Sequence, residues 1–169
     1  VDRLIAEGHR DIAMVRTSDT DATTWDADLL RVAGYREALA AAGIEERPEL
    51  LVTEPYGVDS GTRAVERLLA LDRPPTAVFG YSDEIAAAVA VGAQRHGLRV
   101  PEDLSVIGVD GHPMAELFGL STLDQNVERQ AEEAAGIAVR LIRGEPGTRS
   151  VRVRHRFVDR GSVRPPRGS

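Results

Sequence analysis

The chain's 169 residues are 42% hydrophobic and 28% charged, enough for one globular domain with its own core. A net charge of −6 argues against a surface built to neutralise phosphates, and no apolar run has the length of a membrane span or the form of a leading signal peptide. Cysteine and lysine are both absent, which excludes disulfides, thiol nucleophiles, Walker-type phosphate loops and Schiff-base chemistry.

In chain order, Val1 to Gly8 reads as the end of a helix that began further upstream, with Gly8 as its C-cap. Ile12 to Val15 is a short apolar strand. Arg16 to Trp25 is a polar loop, and a long helix starts near Asp26. In that helix Val32, Tyr35, Leu39 and Ala42 recur at i, i+3, i+7 and i+10, a core-facing stripe that ends at Gly43. The cycle then repeats. A strand at Leu50 to Thr53 is followed by a helix capped by Asp59 or Ser60 and reaching Leu71. Pro74-Pro75 breaks the chain before the strand Ala77 to Gly80, and Ser82 caps a helix that runs to His96 with Asp83 and Glu84 in its first turn.

Gly97 to Gly111 closes this cycle. Gly97 and Pro101 stop the helix, Leu104 to Val109 forms a strand buried on both faces, and Asp110 stands at its tip. Pro113 to Phe118 forms a helical turn and Ser121 to Leu123 a brief strand. The corner Asp124-Gln125-Asn126 leads into a helix from Val127 to Arg143. Ser150 to Val158 alternates Val151, Val153 and Phe157 against arginines, as an edge strand does, and Arg164 to Ser169 reads as a frayed tail. Strands alternating with helices of ten or more residues predict an α/β fold, a doubly wound parallel sheet in three αβα layers.

Each strand delivers a polar or aromatic group at its C-terminal end: Arg16 and the Trp25 loop, Tyr56, Ser82 with Asp83, Asp110 and Gln125. In a doubly wound sheet these ends converge on one rim, where aromatic faces and bidentate groups suit a polyhydroxylated or heteroaromatic small molecule.

Other chemistries fit less well. Gly80-Tyr81-Ser82-Asp83-Glu84 imitates the nucleophile elbow of a serine hydrolase, with Asp110 and His155 following in hydrolase order. The elbow needs a small residue where Glu84 stands, so Ser82 is read as a helix cap. His9, His96, His112 and His155 lack ligand spacing and are read as surface or loop residues, with no metal and no cofactor expected. Arg149, Arg152, Arg154, Arg156 and Arg160 read as a solvated strand face.

Several landmarks occur together and in order. They are Glu7-Gly8-His9-Arg10-Asp11-Ile12-Ala13, Arg31-Val32-Ala33-Gly34-Tyr35, Pro75-Thr76-Ala77-Val78-Phe79 with Ser82-Asp83, and Gly97 through Asp110. Leu123-Asp124-Gln125 and Gly144-Glu145-Pro146 complete the set. On these the chain resembles, over essentially its whole length, the effector-binding core of LacI-type (lactose-repressor family) transcriptional regulators.

The resemblance implies a two-lobed periplasmic-binding-protein-like fold of type I, with the effector, a sugar or related small molecule, held between the lobes. Residues 1–110 would form the C-terminal effector-binding lobe and 111–126 a crossover toward the N-terminal lobe. Residues 127–158 would be a closing helix and strand, and 159–169 a tail. Arg31 would clamp the effector, Asp110 would accept from its hydroxyls and Tyr56 would stack on it. Trp25, Ser82, Asp83 and Gln125 would line the pocket or its hinge. The resemblance also implies a cytoplasmic, homodimeric regulator rather than an enzyme. Operator DNA would be bound only through a helix-turn-helix that these residues do not include, so this polypeptide is expected not to bind DNA by itself. A solute-binding protein of the same fold is the alternative reading.

Overall fold

Apolar runs too short for helices and too continuous for surface strands make the centre of the molecule. In the computed structural model, which describes residues 1–18, 26–57, 59–145 and 150–167, these runs become β1 (Ile12–Ser18), β3 (Ala77–Gly80) and β4 (Ser105–Asp110). Every residue of β3 is buried, and so are Ser105 through Val109 of β4, as expected when helices cover both faces. With β2 (Leu51–Pro55), β5 (Ser121–Asp124) and β6 (Arg156–Val158) they form one sheet in the order β2-β1-β3-β4-β5-β6. All pairings are parallel except β5 with β6.

Two apolar layers follow from the alternation of side chains across the sheet. On one face Val15, Val52, Val78 and Val106 pack against α3 (Ser60–Leu69), α4 (Asp83–Arg95) and the short α5 (Pro113–Leu117). On the other, Ile12, Met14, Phe79 and Ile107 pack against α1 (Asp2–Ala6) and the Val32-Tyr35-Leu39 stripe of α2 (Asp26–Ala41). The Tyr35 hydroxyl donates to the Ile12 carbonyl at 2.9 Å, satisfying the one polar atom that this stripe buries.

The structure departs from the sequence-based expectation in four places. β1 continues to Ser18 rather than ending at Val15, because Arg16, Thr17 and Ser18 align with Thr53, Glu54 and Pro55 of β2. The edge strand expected over Ser150 to Val158 is ordered into a ladder only at Arg156–Val158, where β5 offers a partner, and Val151 is exposed.

His9 lies in the loop between α1 and β1, but it is buried rather than at the surface. Its Nε2 donates to the Arg164 carbonyl at 2.8 Å, and its Nδ1 lies 2.8 Å from the Thr76 hydroxyl. Burial holds its pKa below the ordinary histidine value, partly offset by the Arg164 carbonyl and the Glu7 charge, so the ring is neutral in the fold near pH 7.

Nor is the C-terminal segment frayed. The Ser162 carbonyl accepts from Val106 N–H at 2.9 Å, and the Ser162 hydroxyl donates to the Val106 carbonyl and accepts from Ser121 N–H. Arg164 N–H donates to Ser105, and Arg167 lies 2.5 Å from Asp103. The segment fills the base of the sheet between β4 and β5, and this satisfies backbone groups that a tail would have left to water.

The final helix, α6 (Val127–Ile142), buries none of its residues. Val127, Val139, Leu141 and Ile142 are exposed. Among the described residues no helix is long and apolar enough to cross a membrane.

Candidate functional site

The strand order reverses at β1: β2 lies on one side and β3 on the other, while α2 and α4 leave on opposite faces. The crevice above the C-terminal ends of β1 and β3 is therefore the place where a doubly wound sheet leaves room for a ligand.

Three of the predicted residues meet at this rim. Arg31, on the second turn of α2, donates from Nη2 to Asp110 Oδ1 at 3.1 Å. Gln125, directly after β5, donates from Nε2 to the same Oδ1 at 2.5 Å. Both Arg31 and Asp110 stay partly open to solvent, at 23% and 32% of their side-chain surface. An incoming molecule can thus reach either one. Asp110 also has a φ of +127°, which a side-chain-bearing residue rarely adopts and which concentrates at functional sites. Burial pushes the Asp110 carboxyl above the ordinary aspartate value; the Arg31 charge and the Gln125 hydrogen bond oppose it, and the Asp83 charge adds to it.

The rim holds a fourth residue that sequence reasoning passed over. Tyr81, at the end of β3, puts its ring under the Arg31 guanidinium, with Cζ 5.2 Å from the ring centroid. Its N–H donates to the Val15 carbonyl at 3.0 Å, anchoring it across the β1–β3 crevice. Aromatic residues are scarce in this chain, at 4%, and one placed directly after a buried strand was a usable signal.

The other predicted residues have different positions. Ser82 is the N-cap of α4: its hydroxyl accepts from Ile85 N–H at 3.3 Å, so the hydroxyl in the elbow-like motif is engaged in capping.

Asp83 is fully buried, which corrects its assignment as a pocket contact. It accepts from the Thr122 hydroxyl at 2.5 Å and from His112 N–H at 2.7 Å, tying α4 to the segment beyond Asp110. Burial raises its pKa, against the pull of those hydrogen bonds. Gly108 makes room for it, since a Cβ there would lie 2.2 Å from Asp83 Oδ1.

Tyr56 is 66% exposed and lines, with Ser60, Ile85, Val91, Met114 and Phe118, a groove of about 500 Å³ between α3, α4 and α5; no described contact joins it to the Arg31–Asp110 pair. Trp25 lies outside the described residues.

A family model for a periplasmic binding protein-like domain matches residues 1–163. The chain belongs to this family, in its LacI-type branch. It is 37% identical over 163 residues to the HTH-type transcriptional repressor PurR of Erwinia tasmaniensis, covering 95% of this chain and 47% of that protein. It is 36% identical over 168 residues to the probable HTH-type transcriptional repressor ExuR of Bacillus subtilis, covering 97% and 49%.

Among solved structures, a LacI-family sugar-binding transcriptional regulator from Escherichia coli, complexed with phosphate, superposes with a TM-score of 0.87 at 27% identity, over 98% of this chain and 59% of that one. A complex of the transcriptional regulator CelR with cellobiose gives a TM-score of 0.79 at 34% identity, over 95% and 49%. The chain spans about half the length of the curated relatives it matches.

Proposed function

We propose that this LacI-type chain is the effector-binding core of a DNA-binding transcriptional regulator and that its effector is a sugar or related polyhydroxylated molecule. The observation that carries this reading is the convergence of Arg31, Asp110 and Gln125 at the C-terminal rim of the sheet, over the tip of β4 beside the strand-order reversal, partly exposed and built on a strained backbone. A guanidinium donates and a carboxylate accepts, so vicinal hydroxyls can satisfy both at once. The relatives named as repressors and the neighbour bound to cellobiose support the same reading. No nucleophile is called for: Ser82 is a cap, and the site binds without reacting.

In this reading the effector is closed in by a second lobe, reached beyond Gln125 rather than through all of residues 111–126, because α5 and β5 pack within this lobe. The unburied apolar side chains of α6 suit packing against it. Operator DNA is then contacted by a helix-turn-helix outside these residues, in the cytoplasm, and the effector shifts the balance between two lobe arrangements. A thermal-shift panel of mono- and disaccharides, cellobiose included, tests the reading on the full-length gene product. At least one sugar should raise the melting temperature at millimolar concentration; no response to any member rejects a sugar effector.

We also propose that the protein pairs with a second copy through the groove that Tyr56, Met114 and Phe118 line, where large apolar side chains stand exposed. Sedimentation velocity of the full-length gene product at micromolar concentration should show a dimer, and Phe118→Arg a monomer. A wild-type monomer, or a Phe118→Arg dimer, removes this face from consideration.

A further inference from the structure

Arg31 is held from two directions. Asp110 takes one edge of the guanidinium through Nη2, and the Tyr81 ring covers one of its faces. Guanidinium groups otherwise have long, freely rotating stems, and ordering one costs rotamer entropy when a ligand arrives. Tyr81 is well suited to prevent that loss. Tyr81 packs against both apolar layers of the protein, and its backbone is pinned to Val15, so the core fixes where its ring stands. A face covered by an aromatic ring also cannot stack on a flat ligand, whereas its N–H edges remain directed along the guanidinium plane.

We propose that Tyr81 is the positioning and specificity-determining residue of this site: it pre-orients Arg31 to meet a ligand edge-on, through paired oxygen acceptors. The inference rests on the effector reading above for its consequence, and on the Tyr81–Arg31–Asp110 geometry for its substance. Stacking on the covered face is closed to a flat ligand, while a vicinal diol matches the two in-plane donors.

The test compares wild-type, Tyr81→Phe and Tyr81→Leu forms of the full-length gene product. Leucine keeps an apolar side chain against the core but removes the ring; phenylalanine keeps the ring and removes only the hydroxyl. The first readout needs no effector. The Arg31 Nε–Hε resonance, assigned by its loss in Arg31→Lys, should be shifted by the ring current in wild type and Tyr81→Phe and should move to an ordinary position in Tyr81→Leu. The second is affinity for whichever panel sugar stabilises the wild type. It should fall about tenfold in Tyr81→Leu and stay within about twofold in Tyr81→Phe.

A resonance unchanged in Tyr81→Leu overturns the positioning claim, and a shifted resonance with unchanged sugar affinity overturns the specificity claim. If no panel sugar binds the wild type, the effector reading fails, and with it the specificity claim; the resonance alone then decides positioning.

Discussion

Arg31→Ala in the full-length gene product will weaken effector binding about a hundredfold, from the loss of charge-assisted hydrogen bonds worth about 1.5–3 kcal/mol together with the loss of charge complementarity beside Asp110. Two effects add. The clamp's donors to the ligand are lost, and Asp110, whose carboxyl burial already pushes upward, loses the cation that most opposes that push. Its carboxylate becomes harder to keep ionised and a poorer acceptor for ligand hydroxyls. Arg31→Lys restores a charge but neither the planar fork nor the face that lies on Tyr81, so it should recover only a small part. Isothermal titration with a sugar found in the panel measures the effect. Because Arg31 keeps solvent access, the variant should remain folded, with unchanged far-UV circular dichroism. Wild-type affinity in Arg31→Ala would remove Arg31 from the site.

The largest effect on stability is expected at Gly61. This glycine sits in the first turn of α3, where the helix crosses α4 in direct backbone contact. A Cβ added there would lie 2.1 Å from the Ala88 carbonyl carbon and 2.5 Å from Val89 N, atoms that cannot rotate away. The helices must separate, and the buried seam of Ala64, Val65, Ala86 and Val89 opens with them. Gly61→Ala should therefore cost about 3 kcal/mol, at the upper end for overpacking of a close-packed core, because backbone rather than side chain is displaced. Gly92→Ala meets the same contact from the α4 side, with a Cβ 2.9 Å from the Gly61 carbonyl oxygen, and should cost less. Urea denaturation gives both values as a fall in midpoint at constant m. A Gly61→Ala midpoint equal to wild type would mean that the two helices do not meet there.

Much of the fold was legible because it is written in short-range patterns. The alternation of apolar runs with capped, periodic helices located five strands and the major helices. The order of motifs from Glu7 to Gln125 pointed to the LacI-type core before any contact was known. Ser82 as a cap needed only its place after Gly80 and before an acidic first turn. Asp110 and Gln125 were nominated by their places at strand ends and Arg31 by the family resemblance, although their meeting at one carboxylate oxygen was not visible.

What tertiary structure decided is of another kind. Asp83 and Ser82 are neighbours in sequence, yet one carboxylate is turned inward to Thr122 and His112, because Gly108 leaves space beneath it. His9 reaches a carbonyl 155 residues away, and the arginine- and proline-rich end that read as frayed is laid along β4 by Ser162. Tyr81 acquires its role from a guanidinium 50 positions earlier. The Gly97–Gly111 stretch shows both sides of this division. Its strand and its terminal acid follow from local chemistry, since burial on both faces selects Leu104 to Val109 and ends at a charge. The strained φ of Asp110 and the two donors on its Oδ1 follow only from the sheet order, which brings α2 and the end of β5 to the tip of β4. Periodicity and capping act within a few residues, whereas a ligand site is made by side chains that only chain crossover brings within hydrogen-bonding distance.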